Sequence, residues 1–129
     1  MRESQGGVLI SDGRYGVRLS RTEAAHDRGY STLIEAQGGP FSGSVQDDCN
    51  NWHMFRFQLT ALYESLSGKA RLWTYDQFEL VLVGDGRGAI SVRADIIGEP
   101  EQRSRLSFEF AVDQTFLPAI IEQIEAEFP

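Results

Sequence analysis

Between Phe78 and Val112 apolar and polar residues alternate in three consecutive runs, and an amphipathic helix follows at once. A period of two marks strands with one face in a core and one in water, so this stretch demands an antiparallel sheet. Phe78, Leu80 and Leu82 share one face of the first strand. Ile90, Val92, Ala94 and Ile96 share a face of the second, and Leu106, Phe108, Phe110 and Val112 a face of the third. Gly84-Asp85-Gly86-Arg87-Gly88 reads as the turn between the first two, and Gly98-Glu99-Pro100-Glu101-Gln102 as the loop before the third. The expected register pairs Leu82 with Ile90, Leu80 with Val92 and Phe78 with Ala94. Glu79 then faces Arg93, an opposite-charge pair worth ~0.2–1 kcal/mol. A slip of one residue would turn one apolar set toward water. The glycines do not make a phosphate cradle, because that motif needs a following helix and here a strand follows.

Upstream, Ala70 to Tyr75 is expected to pair with Phe78 onward through a turn at Asp76-Gln77. Trp73 then lies opposite Leu80 and Tyr75 beside Phe78, and both aromatics are read as core in preference to an exposed binding surface. In the closing helix, capped by Asp113 or Thr115 and with Pro118 early, Leu117, Ile120, Ile121, Ile124 and Phe128 recur at helical spacing. An earlier helix, about Trp52 to Leu66, places Phe55, Leu59, Leu62, Tyr63 and Leu66 on one stripe and stops at Ser67-Gly68. In the first fifty residues Tyr15, Val17 and Leu19 alternate with polar neighbours, as do Tyr30, Thr32, Ile34 and Ala36. Phe41, Gly43 and Val45 suggest a short strand, and Val8 to Ile10 a first one. The order is strands, helix, strands, helix. The expected fold is α+β: one antiparallel sheet of about seven to eight strands with two helices packed on one face. Its core should contain Phe78, Leu80, Leu82, Val92, Phe108, Phe110, Leu117, Ile120, Ile121 and Ile124.

Residues 1–129 suit a single domain, and 41% hydrophobic with 24% charged residues is ordinary for a globular chain. No apolar run is long enough for a membrane span, and Met-Arg-Glu-Ser-Gln-Gly-Gly is polar where a signal peptide would be apolar, so a cytoplasmic location is expected. One cysteine, Cys49, excludes an internal disulfide. The charge, 12 basic against 19 acidic residues and a net of −7, argues against nucleic acid as a general partner, although Arg14, Arg18 and Arg21 leave room for a local basic patch. An acidic surface steers basic proteins and also keeps a protein soluble; composition does not separate the two.

The densest chemistry is Asp47-Asp48-Cys49-Asn50-Asn51-Trp52-His53. A zinc site wants four nitrogen or sulfur ligands, and the chain holds one Cys and two His; a calcium loop wants alternating oxygens, which Cys49, Trp52 and Met54 interrupt. The expectation is therefore no metal and no cofactor, with Asn50 or Asn51 capping the following helix and the aspartates near its positive end. Cys49 and His53 are four apart, but Cys49 precedes the helix and no orienting group is identifiable. His26 falls in a polar connection that reads as solvated. No catalytic residue is assigned.

The stretch from Trp73 through Leu82, the glycine turn to Gly88, the strand Ala89 to Ile96 and the closing strand with Asp113 and its helix resemble the C-terminal half of WapI-like immunity proteins and related small bacterial proteins of unknown function. Asn51-Trp52 after Asp48 is similar to an Asp/Asn-Trp motif in their first half. The resemblance covers about half the chain. It implies a cytoplasmic, non-enzymatic antidote that binds a cognate toxin domain, with no active site of its own. A basic toxin would be met by exposed acids, and Glu99, Glu101, Glu122, Glu125 and Glu127 are the expected contact residues. The alternatives are a domain binding a small molecule or another protein, and an enzyme with a dispersed site. An open sheet edge also suits a homodimer.

Overall fold

The computed structural model describes residues 6–99 and 104–129. Strands β1 (Val8–Ser11), β2 (Tyr15–Arg21), β3 (Tyr30–Gly38) and β4 (Phe41–Cys49) form one antiparallel meander. Helix α1 (Trp52–Ser65) leads to a second meander of β5 (Ser67–Trp73), β6 (Phe78–Asp85), β7 (Ala89–Ile97) and β8 (Arg105–Asp113). A 3-10 turn at Gln114–Phe116 then opens α2 (Leu117–Glu127). The α+β class, the eight strands and the element order are those expected. The strands divide into two four-stranded sheets, because the outward edge of β5 is bonded by side chains from α1 and the residues before it instead of by β4.

The sheets meet where β8 lies against β2 and β3, and β7 against β4. The helices pack on each other, α1 along β5 and α2 along β1. They also bond the edges they cover: Gln58 of α1 accepts from the Arg71 N–H at 2.9 Å, and Gln123 of α2 accepts from the Leu9 N–H at 2.9 Å. An uncovered edge would offer those groups to another chain. A single buried cluster runs through both sheets and both helices, with Leu80, Leu82, Val92, Leu117, Ile120 and Ile124 inside it and Phe108, Phe110 and Ile121 half-buried against it.

The β6–β7 register differs from the expected one by two residues. Leu82 faces Val92, Leu80 faces Ala94, Phe78 faces Ile96, and Gly84 faces Ile90. The cause is the turn. The Asp85 carboxylate accepts from the N–H groups of Arg87 and Ala89 at 2.7 and 3.1 Å, closing a three-residue loop in which Gly86 and Gly88 take positive φ. Those bonds hold its carboxyl below the usual range. A shift of two keeps every side chain on its face, so the apolar pattern could not reveal it. Arg93 therefore faces Val81, Glu79 faces Asp95, and Glu79 pairs with Arg71.

In α1 the buried stripe is Trp52, Phe55, Leu59 and Leu62, while Tyr63 is exposed. Leu66 ends the helix in the left-handed region at φ 64°, a position expected of glycine. Its carbonyl accepts from the Gly86 N–H at 2.8 Å, which ties the helix end to the β6–β7 turn.

Phe108 joins the sheets by packing over Gly38, where a Cβ would sit 2.8 Å from the ring, and against Tyr15 at a centroid distance of 5.9 Å. A fully buried Phe truncated to Ala costs ~3–5 kcal/mol. Phe108 is half-buried, so Phe108→Ala is expected to lower unfolding stability by about 2–3 kcal/mol in urea titrations. Gly38→Val should destabilise as well, by forcing the ring out of its seat.

Candidate protein-binding surface

The connection from β4 to α1 is built around one buried carboxamide. Asn51 stands at the N-terminus of α1, yet its side chain does not cap the helix. Its Nδ2 donates to the Arg71 carbonyl at 3.2 Å, and its Oδ1 accepts from the Trp73 N–H at 3.3 Å and the Cys49 thiol at 3.4 Å. The amide thus takes the place of a peptide unit in a neighbouring strand. The Cys49 thiol also reaches the Trp73 carbonyl at 3.3 Å. Burial pushes that thiol up to about 12, so it is held as the protonated thiol at neutral pH, the form that is the weaker nucleophile.

The aspartates expected near the helix terminus lie on β4, which runs four residues past Val45. Asp47 Oδ2 accepts from the N–H groups of Asp76 and Gln77 at 2.7 and 2.9 Å, and the Asp48 carbonyl accepts from Tyr75 N–H at 3.1 Å. Together they pin the turn between β5 and β6 to the end of β4. That turn displaces Trp73 and Tyr75 from the expected core. Trp73 faces Glu79 on the outer face of the sheet, and the two aromatics are 38% and 45% exposed.

Each of these two aromatics carries an arginine on its face. The Arg71 guanidinium lies 4.5 Å from the Trp73 centroid and is paired with Glu79. The Arg28 guanidinium lies 4.2 Å from the Tyr75 centroid and 2.9 Å from Asp48. Asn50 Nδ2 fixes the Tyr75 hydroxyl at 3.2 Å. Arg28 is delivered by a tight turn in which His26 and Gly29 exchange backbone bonds of 2.9 Å. Only glycine fits at 29: φ is +99°, and a Cβ would stand 2.2 Å from the Cys49 carbonyl oxygen. The result is a ledge of two arginine-stacked aromatics, two residues apart, held from beneath by carboxylates.

His26, Ser31 and Asp48 also converge there, with His26 Nε2 at 3.3 Å from Ser31 Oγ and 3.4 Å from Asp48 Oδ1. A relay needs the imidazole to receive a proton from serine at one nitrogen and to be held by the acid at the other. Here Nδ1 accepts from the Arg28 N–H at 3.2 Å, which puts the proton on Nε2, and Ser31 donates to Asp48 at 3.2 Å. Ser31 thus has no base. Among the described residues no group of three His, Cys, Asp or Glu is arranged to hold a metal ion. No helix among them is long and apolar enough to cross a membrane.

Of the expected acidic contacts, Glu99 and Glu122 are exposed. Glu125 is exposed and lies 3.6 Å from Arg56. Glu127 is partly buried and accepts from the Arg21 N–H at 2.9 Å, so it serves the sheet edge. Glu101 lies outside the described residues. The sequence favours core for these aromatics when Trp73 is set opposite Leu80; the actual β5–β6 register is one residue away, with Leu72 opposite Leu80 and Trp73 opposite Glu79, which turns the aromatics outward. The one signal for the ledge is the run Arg71-Leu72-Trp73-Thr74-Tyr75, in which arginine and both aromatics share a parity opposite to Leu72.

A family model described as the immunity protein WapI-like family matches residues 24–129. No curated protein and no solved structure matches the chain.

Asn51→Ala would leave the Arg71 carbonyl and the Trp73 N–H without their side-chain partner at a part-buried strand edge. It is expected to cost about 2–3 kcal/mol and to speed hydrogen exchange at the Trp73 amide. Cys49 should resist thiol reagents at pH 8 until the protein unfolds. Its folded value stands above the free-thiol range of ~8.5, so its contribution is complete below that pH and is lost as pH climbs toward about 12. Cys49→Ser should flatten that alkaline limb.

Proposed function

Because the chain belongs to the immunity protein WapI-like family, we propose that it is a non-enzymatic cytoplasmic module that binds and blocks a cognate toxin domain. The family match over residues 24–129 carries this reading, and it extends well past the half of the chain in which the resemblance was legible. An inhibitor of this kind needs no reacting group. It needs a rigid surface with a few large anchors, and the Trp73–Tyr75 ledge supplies them: Trp, Tyr and Arg dominate the energetics of protein interfaces. Stacking under Arg71 and Arg28 restricts both rings before any partner arrives, which reduces the entropy lost on binding.

The net charge of −7 favours a basic toxin domain, which the exposed Glu99, Glu122 and Glu125 would steer, with Glu101 as a further candidate. Steering and anchoring act on different rate constants. Glu99→Lys combined with Glu122→Lys should slow association about tenfold at low salt, and added salt should erase the difference. Trp73→Ala combined with Tyr75→Ala should instead speed dissociation about a hundredfold. The measurement is surface-immobilised kinetics against any candidate toxin domain found encoded next to this chain, with inhibition of that candidate in parallel. A neighbouring toxin that stays fully active at equimolar inhibitor sinks the proposal.

A further inference from the structure

The outward edge of β8 is open along its length. The bonds that close the β7–β8 ladder at its two ends, Gly98 N–H to the Ser104 carbonyl and Gln114 N–H to the Gly88 carbonyl, each 2.7 Å, commit the even-numbered residues between them to β7. The main-chain groups of Arg105, Ser107, Glu109 and Ala111 therefore point away from the sheet. Among the described residues none of their N–H groups has a partner. All four residues are exposed, and Leu106, Phe108 and Phe110 on the other face are half-buried, with no next strand to cover them.

The other edges are treated differently. Gln123 bonds the β1 edge, Asn51 and Gln58 bond the β5 edge, and the Asp48 carbonyl at the end of β4 is taken by the Tyr75 N–H. The rest of β4 exposes Ser42, Ser44 and Gln46, which carry no charge to select a register. Short, bulged or proline-bearing edges refuse another strand. β8 has none of these features: it pairs one-to-one with β7 from Arg105 to Asp113 and contains no proline. Its exposed charges are Arg105 and Glu109, which make no ion pair among the described residues. Arg93, opposite Glu109 on β7, lies 3.8 Å from Asp95 instead.

We infer that β8 pairs with β8 of a second copy, antiparallel about a twofold axis at Ser107. That register sets Arg105 of each copy opposite Glu109 of the other on the outer face, and Leu106 of each opposite Phe108 of the other on the inner face. Both charge crossings are attractive, and about six main-chain bonds form. Neighbouring registers lose the match. An axis at Glu109 sets like charges opposite and leaves Arg105 to Asp113, whose carboxylate the Thr115 N–H already holds. An axis at Phe108 sets Arg105 against Ala111 and Glu109 against Ser107. A twofold contact uses each edge once and closes, so it gives a dimer and not a fibre. One strand pair is a small interface beside the ~1,200–2,000 Å2 of stable complexes, so the dimer should depend on concentration. The inference is independent of the toxin reading, since the Trp73–Tyr75 ledge lies on the β5 side of the same sheet.

Sedimentation velocity at ~0.15 M salt, where the net charge of −7 on each copy is screened beyond ~8 Å, should show monomer at ~10 µM passing to dimer by ~1 mM. Amide exchange at Ser107 and Glu109 should slow over the same range, while that at Ser44 on the β4 edge stays constant. The axis counts each change twice, so Arg105→Glu alone and Glu109→Arg alone should each weaken association about tenfold. Mixed in equal amounts, the two variants regain opposite charges at both crossings and should associate as tightly as the unmodified chain. Mixing would not rescue a misfolded variant, and should one misfold, the exchange pattern of the unmodified chain decides. A chain that stays monomeric at ~1 mM, a dimer indifferent to both reversals, or losses that mixing does not restore overturns the proposal. So does protection of Ser107 and Glu109 only when another protein is added, which assigns the edge to a foreign strand.

Discussion

The carboxamide of Asn51 is the joint on which the architecture turns. By bonding the Arg71 carbonyl and the Trp73 N–H it completes the edge of β5, and it fixes the start of α1 against the second sheet while β4 still holds the first. The apolar stripe of α1 alone would allow the helix to slide along β5. Polar pairing at Asn51 and Gln58, seven residues apart on one helical flank, removes that freedom. The other sheet uses the same device through Gln123 and Glu127, whose oxygens bond the N–H groups of Leu9 and Arg21. Burial brings the layers together, and these few directional bonds determine where each layer stops.

That joint also explains why large aromatics stand in solvent. Asp47 and Asp48 have their carboxylates and backbone committed to the β5–β6 turn and to Arg28, so the turn is held outward and the rings of Trp73 and Tyr75 cannot fold back over the core. An exposed tryptophan with no constraint would sample many rotamers. Here the guanidinium, the ring and the carboxylate restrict one another, and the surface is ordered before it meets anything.

Periodicity made much of this fold legible. The strand faces of β6, β7 and β8, the stripe of α2 and the approximate span of α1 follow from spacing alone, because each buries one face and a period reports a face. What periodicity cannot report is position along a face. The two-residue shift between β6 and β7 preserves every inward residue, and it was decided by the Asp85 carboxylate closing a tighter turn. Capping was misread for a related reason. Asn51 is a favourable residue at a helix start, and the long-range demand of the β5 edge outcompeted the local one. The Asp47–His53 cluster looked like one feature in the sequence; in space its members serve β4, the thiol contact with β5 and the start of α1.

Spatial order within each sheet follows chain order, β1-β2-β3-β4 and β5-β6-β7-β8. Every ladder is therefore between consecutive strands, and no strand waits for a distant partner before it can pair. Loop closure within each half costs little entropy, so the first meander has all its pairing partners once β4 has left the ribosome. Long-range work is confined to the docking of α1 on β5, of α2 on β1 and of β8 across the first sheet. Contacts of that kind govern the speed of folding. Assembly is thus divided between two locally wound ribbons and one late closure, and the residues that perform the closure sit on the helices and at their ends.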